Sequence, residues 1–246
     1  MIKIRSALLT LAVSCVLLAP PVHAAPTVKT LAISEPNASV IDHLESYPDL
    51  EVLSISCLDS LKTLPDSIGR LTKLKELNLD NGNGCSMNPV LPESLGNLPS
   101  LEKLVLYGAQ DPQGPGDQPK VRHPFPRSLS HLKNLTYLDL GRNGLEQIPS
   151  FVQDLPNLKV LGFRDNDHLK QVPAFLSNLH ELTTLNLDSD GLTDLPTFLN
   201  SLPKLSHVTL GDNCKITQSA AKIRDLKRQF PKISFDFTNE FDCPEN

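Results

Sequence analysis

Apolar residues recur along this chain in a fixed phrase. Leu132, Leu135, Leu138 and Leu140 are followed by Asn143, Leu145, Ile148 and Pro149. The phrase returns as Leu155, Leu158, Leu161, Phe163, Asn166, Leu169, Val172 and Pro173, then as Leu179, Leu182, Leu185, Leu187, Asp190, Leu192, Leu195 and Pro196. Its starts at residues 132, 155, 179 and 202 lie 23, 24 and 23 apart. A constant period of this size predicts stacked units, each of which buries its apolar face against its neighbours because it cannot do so alone. Leu138 and Leu140 flank a single polar residue, which predicts a strand with the leucines on one face and Asp139 on the other. Strands of successive units then pair in parallel. Asn143, Asn166 and Asn213 fall where the chain must bend inward, and predict side-chain hydrogen bonds to backbone groups that the bend strips of partners. Asp190 takes that place in its unit. Each Pro ends the extended segment and opens a short helical or 3₁₀ return carrying Val152 and Leu155, Leu176 and Leu179, or Leu199 and Leu202.

This phrase resembles the L-x-x-L-x-L-x-x-N-x-L block of leucine-rich repeat proteins, with a trailing apolar-Pro pair, over roughly residues 28 to 237. The resemblance implies an α/β fold: a curved right-handed solenoid with a parallel β-sheet on its concave side, short helical or 3₁₀ segments on its convex side, and a cap at each end. The unit with Leu-Pro is similar to those of plant resistance-type, Ras-suppressor-like and bacterial leucine-rich proteins. Such scaffolds bind many classes of ligand, so function has to be argued from the site.

The rest of the chain arranges itself around the array. Residues 1–24 read as a signal peptide, with Lys3 and Arg5 at its start, an apolar run from Ala7 to Ala19, and Val22-His23-Ala24 as the cleavage motif. The run is short for a membrane span, so no stable membrane insertion is expected after cleavage before Ala25. Residues 25–46 form an N-terminal cap and a degenerate first repeat, with Val28, Leu31 and Ile33 on a strand and Val40, Ile41 and Leu44 on a short helix. Repeats fill residues 47–213. Two interruptions stand out: a Gly- and Asn-rich turn at 80–85, with one carboxylate and no closing Glu for calcium, and a Pro-, Gly- and charge-rich loop at 111–123. Beyond that loop, Phe151, Phe175 and Phe198 occupy equivalent positions, predicting an aromatic ladder that fills the convex side. Residues 214–246 form the closing cap. Ile216, Ala220, Ile223, Leu226 and Phe230 recur at helical spacing up to Pro231, and Ile233, Phe235 and Phe237 alternate as a last strand.

Composition narrows the function. The 246 residues are 39% apolar with a net charge of -5, which points to no nucleic-acid surface. Export, to a bacterial periplasm or the medium, puts Cys57, Cys85, Cys214 and Cys243 where disulfides persist. Cys57 and Cys85 follow strands of adjacent repeats, while Cys214 follows the last full repeat and Cys243 lies in the tail, so the register predicts the pairs 57–85 and 214–243. Metal binding is the rival reading, without a C-x-x-C pair or a cysteine–histidine cluster to carry it.

No enzymatic constellation emerges. The histidines lack motif spacing, no Gly-rich phosphate loop or nucleophile elbow is present, and no cofactor or metal is expected. Asp165-Asn166-Asp167 and Asp188-Ser189-Asp190 look like fragments of metal sites but fall on the repeat's turn. What remains unspecified by packing is the outward face of the strands. There the register lines up Glu76, Asp80, Lys103, Tyr107, Tyr137, Asp139, Arg164, Asp188 and His207 as the candidate binding residues, with Tyr and Arg the types most enriched at interface hot spots. The expectation is an exported, non-enzymatic scaffold that recognises a protein partner. The alternatives are a glycan or cell-wall-polysaccharide binding module and a host-interaction virulence factor.

Overall fold

The structure, a computed structural model, describes residues 2–4, 28–34, 38–56, 63–80, 89–110, 123–239 and 243. A single sheet runs through it. Strand β1 (Ile2–Ile4) pairs antiparallel with β2 (Thr30–Ile33). From there every pairing is parallel and between sequence neighbours: β3 (Val52–Ser56), β4 (Glu76–Asp80), β5 (Lys103–Val105), β6 (Tyr137–Asp139), β7 (Val160–Gly162), β8 (Thr184–Asn186), β9 (His207–Thr209) and β10 (Ser234–Asp236). Because leucines and polar residues alternate with a period of two, one face of the sheet is dry. Leu53, Leu77, Leu104, Leu138, Leu161, Leu185 and Val208 are fully buried in successive strands.

Strands β3 to β8 each return through a 3₁₀ segment: Asp66–Arg70, Glu93–Asn97, Arg127–His131, Ser150–Asp154, Ala174–Asn178 and Thr197–Ser201. All six are entered from a Pro, whose fixed φ sets the first turn and whose missing N–H costs nothing there. Sheet and 3₁₀ layers enclose one continuous core, with Ile68, Leu95, Leu129, Val152, Leu176 and Leu199 filling it from the convex side. Two glycines let the layers close. A side chain at Gly69 or Gly96 would strike the backbone oxygen of Ser94 or Ser128 on the next return.

The ends are closed as the residue pattern predicts, with one difference. At the N-terminal end α1 (Ala38–Ile41) and the 3₁₀ turn Leu44–Ser46 bring Ile41 and Leu44 over the first strands. At the C-terminal end the predicted single helical run divides into α2 (Cys214–Thr217) and α3 (Ala220–Gln229), because Ser219 is extended and caps α3 by accepting the Lys222 N–H. Ala220 is consequently exposed, while Ile216, Leu226 and Phe230 are buried. Cys214 is bonded to Cys243, with their Cα atoms 5.5 Å apart, which ties the tail to the last turn. Cys57 and Cys85 lie outside the described residues, as does most of the 111–123 loop.

The aromatic ladder takes a different form from the one predicted. Phe151 is buried and meets Phe125 edge-on at 6.2 Å, whereas Phe175 and Phe198 are only partly covered by the core. Phe125 precedes its Pro, so its contact with Phe151 crosses the repeat register and is invisible to it.

Candidate functional site

The outward residues of the sheet form three columns. Strand register places Val52, Glu76, Lys103, Tyr137, Val160, Thr184 and His207 side by side in the first, and Ser54, Asn78, Val105, Asp139, Gly162, Asn186 and Thr209 in the second. The third begins with Ser56 beside Asp80, and the backbone ladder continues past the strand ends: Gly108 N–H donates to Gly141 O, Arg142 N–H to Arg164 O, Asp165 N–H to Asp188 O. Tyr107, Gly141, Arg164, Asp188 and Gly211 therefore follow one another in line.

Within these columns, glycines decide where the side chains go. Tyr107 leans one unit forward and lies over Gly141, whose missing Cβ would sit 2.6 Å from Tyr107 Cδ2. This lean carries the phenol across a whole repeat, so that its hydroxyl donates to Asp165 Oδ2. Asp139 leans the same way over Gly162, 3.1 Å from where a Cβ would stand, while its Oδ1 accepts the Gly141 N–H at 2.9 Å. Asp188 Oδ1 in turn accepts the Gly211 N–H at 2.7 Å. Arg164 Nε stands 3.4 Å from the same Asp165 carboxylate that accepts the Tyr107 hydrogen bond. In the first column Lys103 Nζ lies 3.6 Å from Glu76 and 5.4 Å from the centroid of the Tyr137 ring.

Partial burial shapes the electrostatics. Desolvation raises the Tyr107 phenol above its ordinary range, and its bond to Asp165 adds to the effect. Tyr137 is raised by burial and then by the Asp139 charge. Asp139 is itself raised, first by burial and further by Asp80 and Asp165, against the Gly141 N–H and Arg164, which pull it down. Burial also raises Asp188. The face thus presents half-desolvated tyrosines and carboxylates fixed by backbone N–H groups, with Arg164 among them.

At the rim, the residue before each buried Asn or its equivalent has a left-handed backbone: Arg142 (φ 53°), Asp165 (φ 65°), Ser189 (φ 53°) and Asp212 (φ 55°), with Gly108 (φ 65°) in the corresponding place after β5. Only glycine takes this conformation without strain.

No family model matches the chain. Among curated proteins, Toll-like receptor 7 of Drosophila melanogaster is 35% identical over 119 residues, 46% of this chain, and the chain spans only 8% of that receptor. Among solved structures, internalin C2 of Listeria monocytogenes superposes with a TM-score of 0.50 at 26% identity, covering 75% of this chain and 72% of the internalin. A chain of the Drosophila Toll–Spatzle complex superposes with a TM-score of 0.54 at 19% identity, over 70% of this chain and 21% of its own length. Among the described residues the sheet has nine consecutive parallel strands, and β2 to β9 are each followed by a short 3₁₀ or helical segment.

The fold is that of a leucine-rich repeat solenoid. Of the outward residues picked out by the repeat's register, the structure gathers Tyr107, Tyr137, Asp139 and Arg164 on adjacent units, with Glu76 and Lys103 on one flank and Asp188 on the other. Asp80 bears on Asp139 through its charge. His207 stands three strands from Tyr137, and its charge bears on Asp236 instead. The repeat's register did not pick out Asp165, which holds both Tyr107 and Arg164, nor Gln110, a buried side chain at the root of the inserted loop. Gln110 Nε2 donates to Pro89 O at 2.9 Å and its Oε1 accepts the His123 N–H at 2.9 Å. Among the described residues no three His, Cys, Asp or Glu side chains are grouped to hold a metal ion, and no helix is long and apolar enough to cross a membrane.

Proposed function

We propose that this leucine-rich repeat protein is an exported, non-catalytic scaffold that docks a protein partner on its concave face, centred on Tyr107, Tyr137, Asp139 and Arg164. The observation that carries the reading is the Tyr107 side chain laid over Gly141 and held by Asp165. It is an aromatic group fixed in advance on a rigid sheet, so little side-chain entropy is lost when a partner packs against it. Tyr and Arg are the residue types that dominate binding energy at protein interfaces, and flanking carboxylates fix register and exclude wrong partners. The strained rim supports the same reading. Arg142 (φ 53°), Asp165 (φ 65°) and Asp212 (φ 55°) hold left-handed backbones on the edge of this face, the kind of outlier that gathers at binding sites. Of the solenoids with this fold, the one from Drosophila is seen in a complex with another protein, Spatzle.

Export rests on the leader at residues 1–24. Its removal before Ala25 would take β1 away from the sheet and leave β2 as the N-terminal edge. The test is capture of a partner from the exported fraction by the wild-type chain, followed by the Arg164→Glu and Tyr137→Ala variants. Both variants should keep the wild-type melting temperature within about 2 °C, since neither side chain fills the core, and should lose the partner by at least about tenfold. Unchanged binding by both folded variants would overturn the proposal. Retention on a glycan array with no captured protein would move the reading to a carbohydrate ligand.

A further inference from the structure

The buried turn residues form a chain of hydrogen bonds running along the solenoid behind the candidate face. Asn143 Oδ1 accepts the Gln110 N–H at 2.7 Å, Asn166 Oδ1 accepts the Asn143 N–H at 3.1 Å, Asp190 Oδ1 accepts the Asn166 N–H at 2.9 Å, and Asn213 Oδ1 accepts the Leu192 N–H at 3.2 Å. The other atom of each Asn is a donor. Asn143 Nδ2 donates to the carbonyls of Leu106, Leu140 and Gly141, Asn166 Nδ2 to those of Leu140 and Phe163, and Asn213 Nδ2 to those of Leu187, Leu210 and Gly211. In each case the acceptors include the carbonyl three residues back and one on the preceding unit.

Asp190 interrupts this series. Its Oδ2 stands where the others carry Nδ2, so the repeat register turns it toward the carbonyls of Leu187 and Phe163. The side chain is 6% exposed, and Oδ2 is buried with no hydrogen-bond partner as an acceptor. An ionised carboxylate can only accept, and would set its negative oxygen against carbonyl oxygens without water. A protonated one presents a donor to the same acceptors that the amides use.

We propose that Asp190 is carried in the folded protein as a neutral carboxylic acid whose Oδ2–H donates to these carbonyls, making the turn after β8 a proton-dependent joint in the solenoid. Burial holds the group well above the ordinary carboxylate range. The charged groups that bear on it push the same way: Asp165 and Asp167 from the preceding turn and Asp188 from its own, against the Asn166 N–H. The following turn carries the Asp212 carboxylate, 3.5 Å from the Ser189 hydroxyl. Arg164, beside Asp165, is the cation of the preceding strand end.

The sign follows from proton binding. Because the folded pKa lies above the unfolded one, the folded chain binds the extra proton between them. The contribution of Asp190 is therefore fully favourable below the unfolded value, near pH 4, and is lost as pH rises through the folded value. The joint lies directly behind Asp188 and one unit from the Arg164–Asp165 pair, so mild acid firms the scaffold under the candidate face.

The experiment is thermal unfolding of the disulfide-bonded full chain between about pH 4 and pH 8.5. Asp190→Asn restores a donor that does not titrate. It should raise the melting temperature by about 3–6 °C at the alkaline end, and the gain should vanish toward pH 4. Asp190→Ala opens a small void and lowers the melting temperature at acid pH, yet should share the flattened pH dependence. An infrared difference spectrum, wild type minus Asp190→Asn across the same pH range, should show the carbonyl band of a protonated carboxyl persisting above about pH 4, where an ordinary Asp has ionised. A pH-independent offset between wild type and Asp190→Asn, or the absence of that band, would overturn the proposal.

Discussion

A methyl group at position 141 would lie 2.6 Å from Tyr107 Cδ2 and 2.8 Å from the Arg164 carbonyl oxygen. The ring can lift away, but the carbonyl belongs to the sheet and cannot. Gly141→Ala should therefore cost about 1–3 kcal/mol in urea denaturation and break the Tyr107–Asp165 bond. Ultraviolet titration would then show one tyrosine returning toward its ordinary ionisation range, and unchanged titration would refute this account of the lean. Ser189→Gly makes the opposite case. Its φ of 53° suits glycine, so the substitution should stabilise the chain by about 1 kcal/mol, read as a higher urea midpoint at unchanged slope. At this scale the sequence was legible in part. Alternation on each strand put Tyr137, Asp139 and Arg164 outward, because period two is fixed by backbone geometry. Asp165 was not legible as a partner of Tyr107. Their contact spans 58 residues and depends on a lean across Gly141 that no periodicity encodes.

Among the elements, the strands and returns were the most legible, since a leucine displaced by one position would leave the core for water. Leu138, fully buried at the middle of the sheet, illustrates the cost: Leu138→Ala should lose about 2–5 kcal/mol in chemical denaturation. The terminal cap was less legible. Helical spacing from Ile216 to Phe230 hid the break at Ser219, whose side chain competes for the backbone and starts α3 afresh. The cap is also where covalent chemistry matters. The Cys214–Cys243 bond closes a loop of 29 residues, and its loss should destabilise the cap by roughly 3 kcal/mol. Amide exchange in a Cys243→Ser variant should therefore accelerate in Ala220–Gln229 and Ser234–Asp236, while the amides of β6 and β7 keep their protection. Non-reducing mass mapping should recover this pair together with Cys57–Cys85, and a bridge between Cys57 and Cys243 would contradict the register from which both pairings were read.

For the whole molecule, the leucines settle the architecture and leave the outward columns open to selection by a partner. The inner face of the sheet is dry from Leu31 to Val208, and the outer one carries two tyrosines, an arginine and a row of partly desolvated carboxylates. The convex side supplies the internal control, because Phe175 and Phe198 are also partly exposed there. The most direct measurement is site-resolved photocrosslinking of the protein, with a benzophenone amino acid placed at Tyr137 or at Phe175. The account predicts a discrete protein adduct from position 137 and none from 175. An adduct from 175 with none from 137 would contradict it.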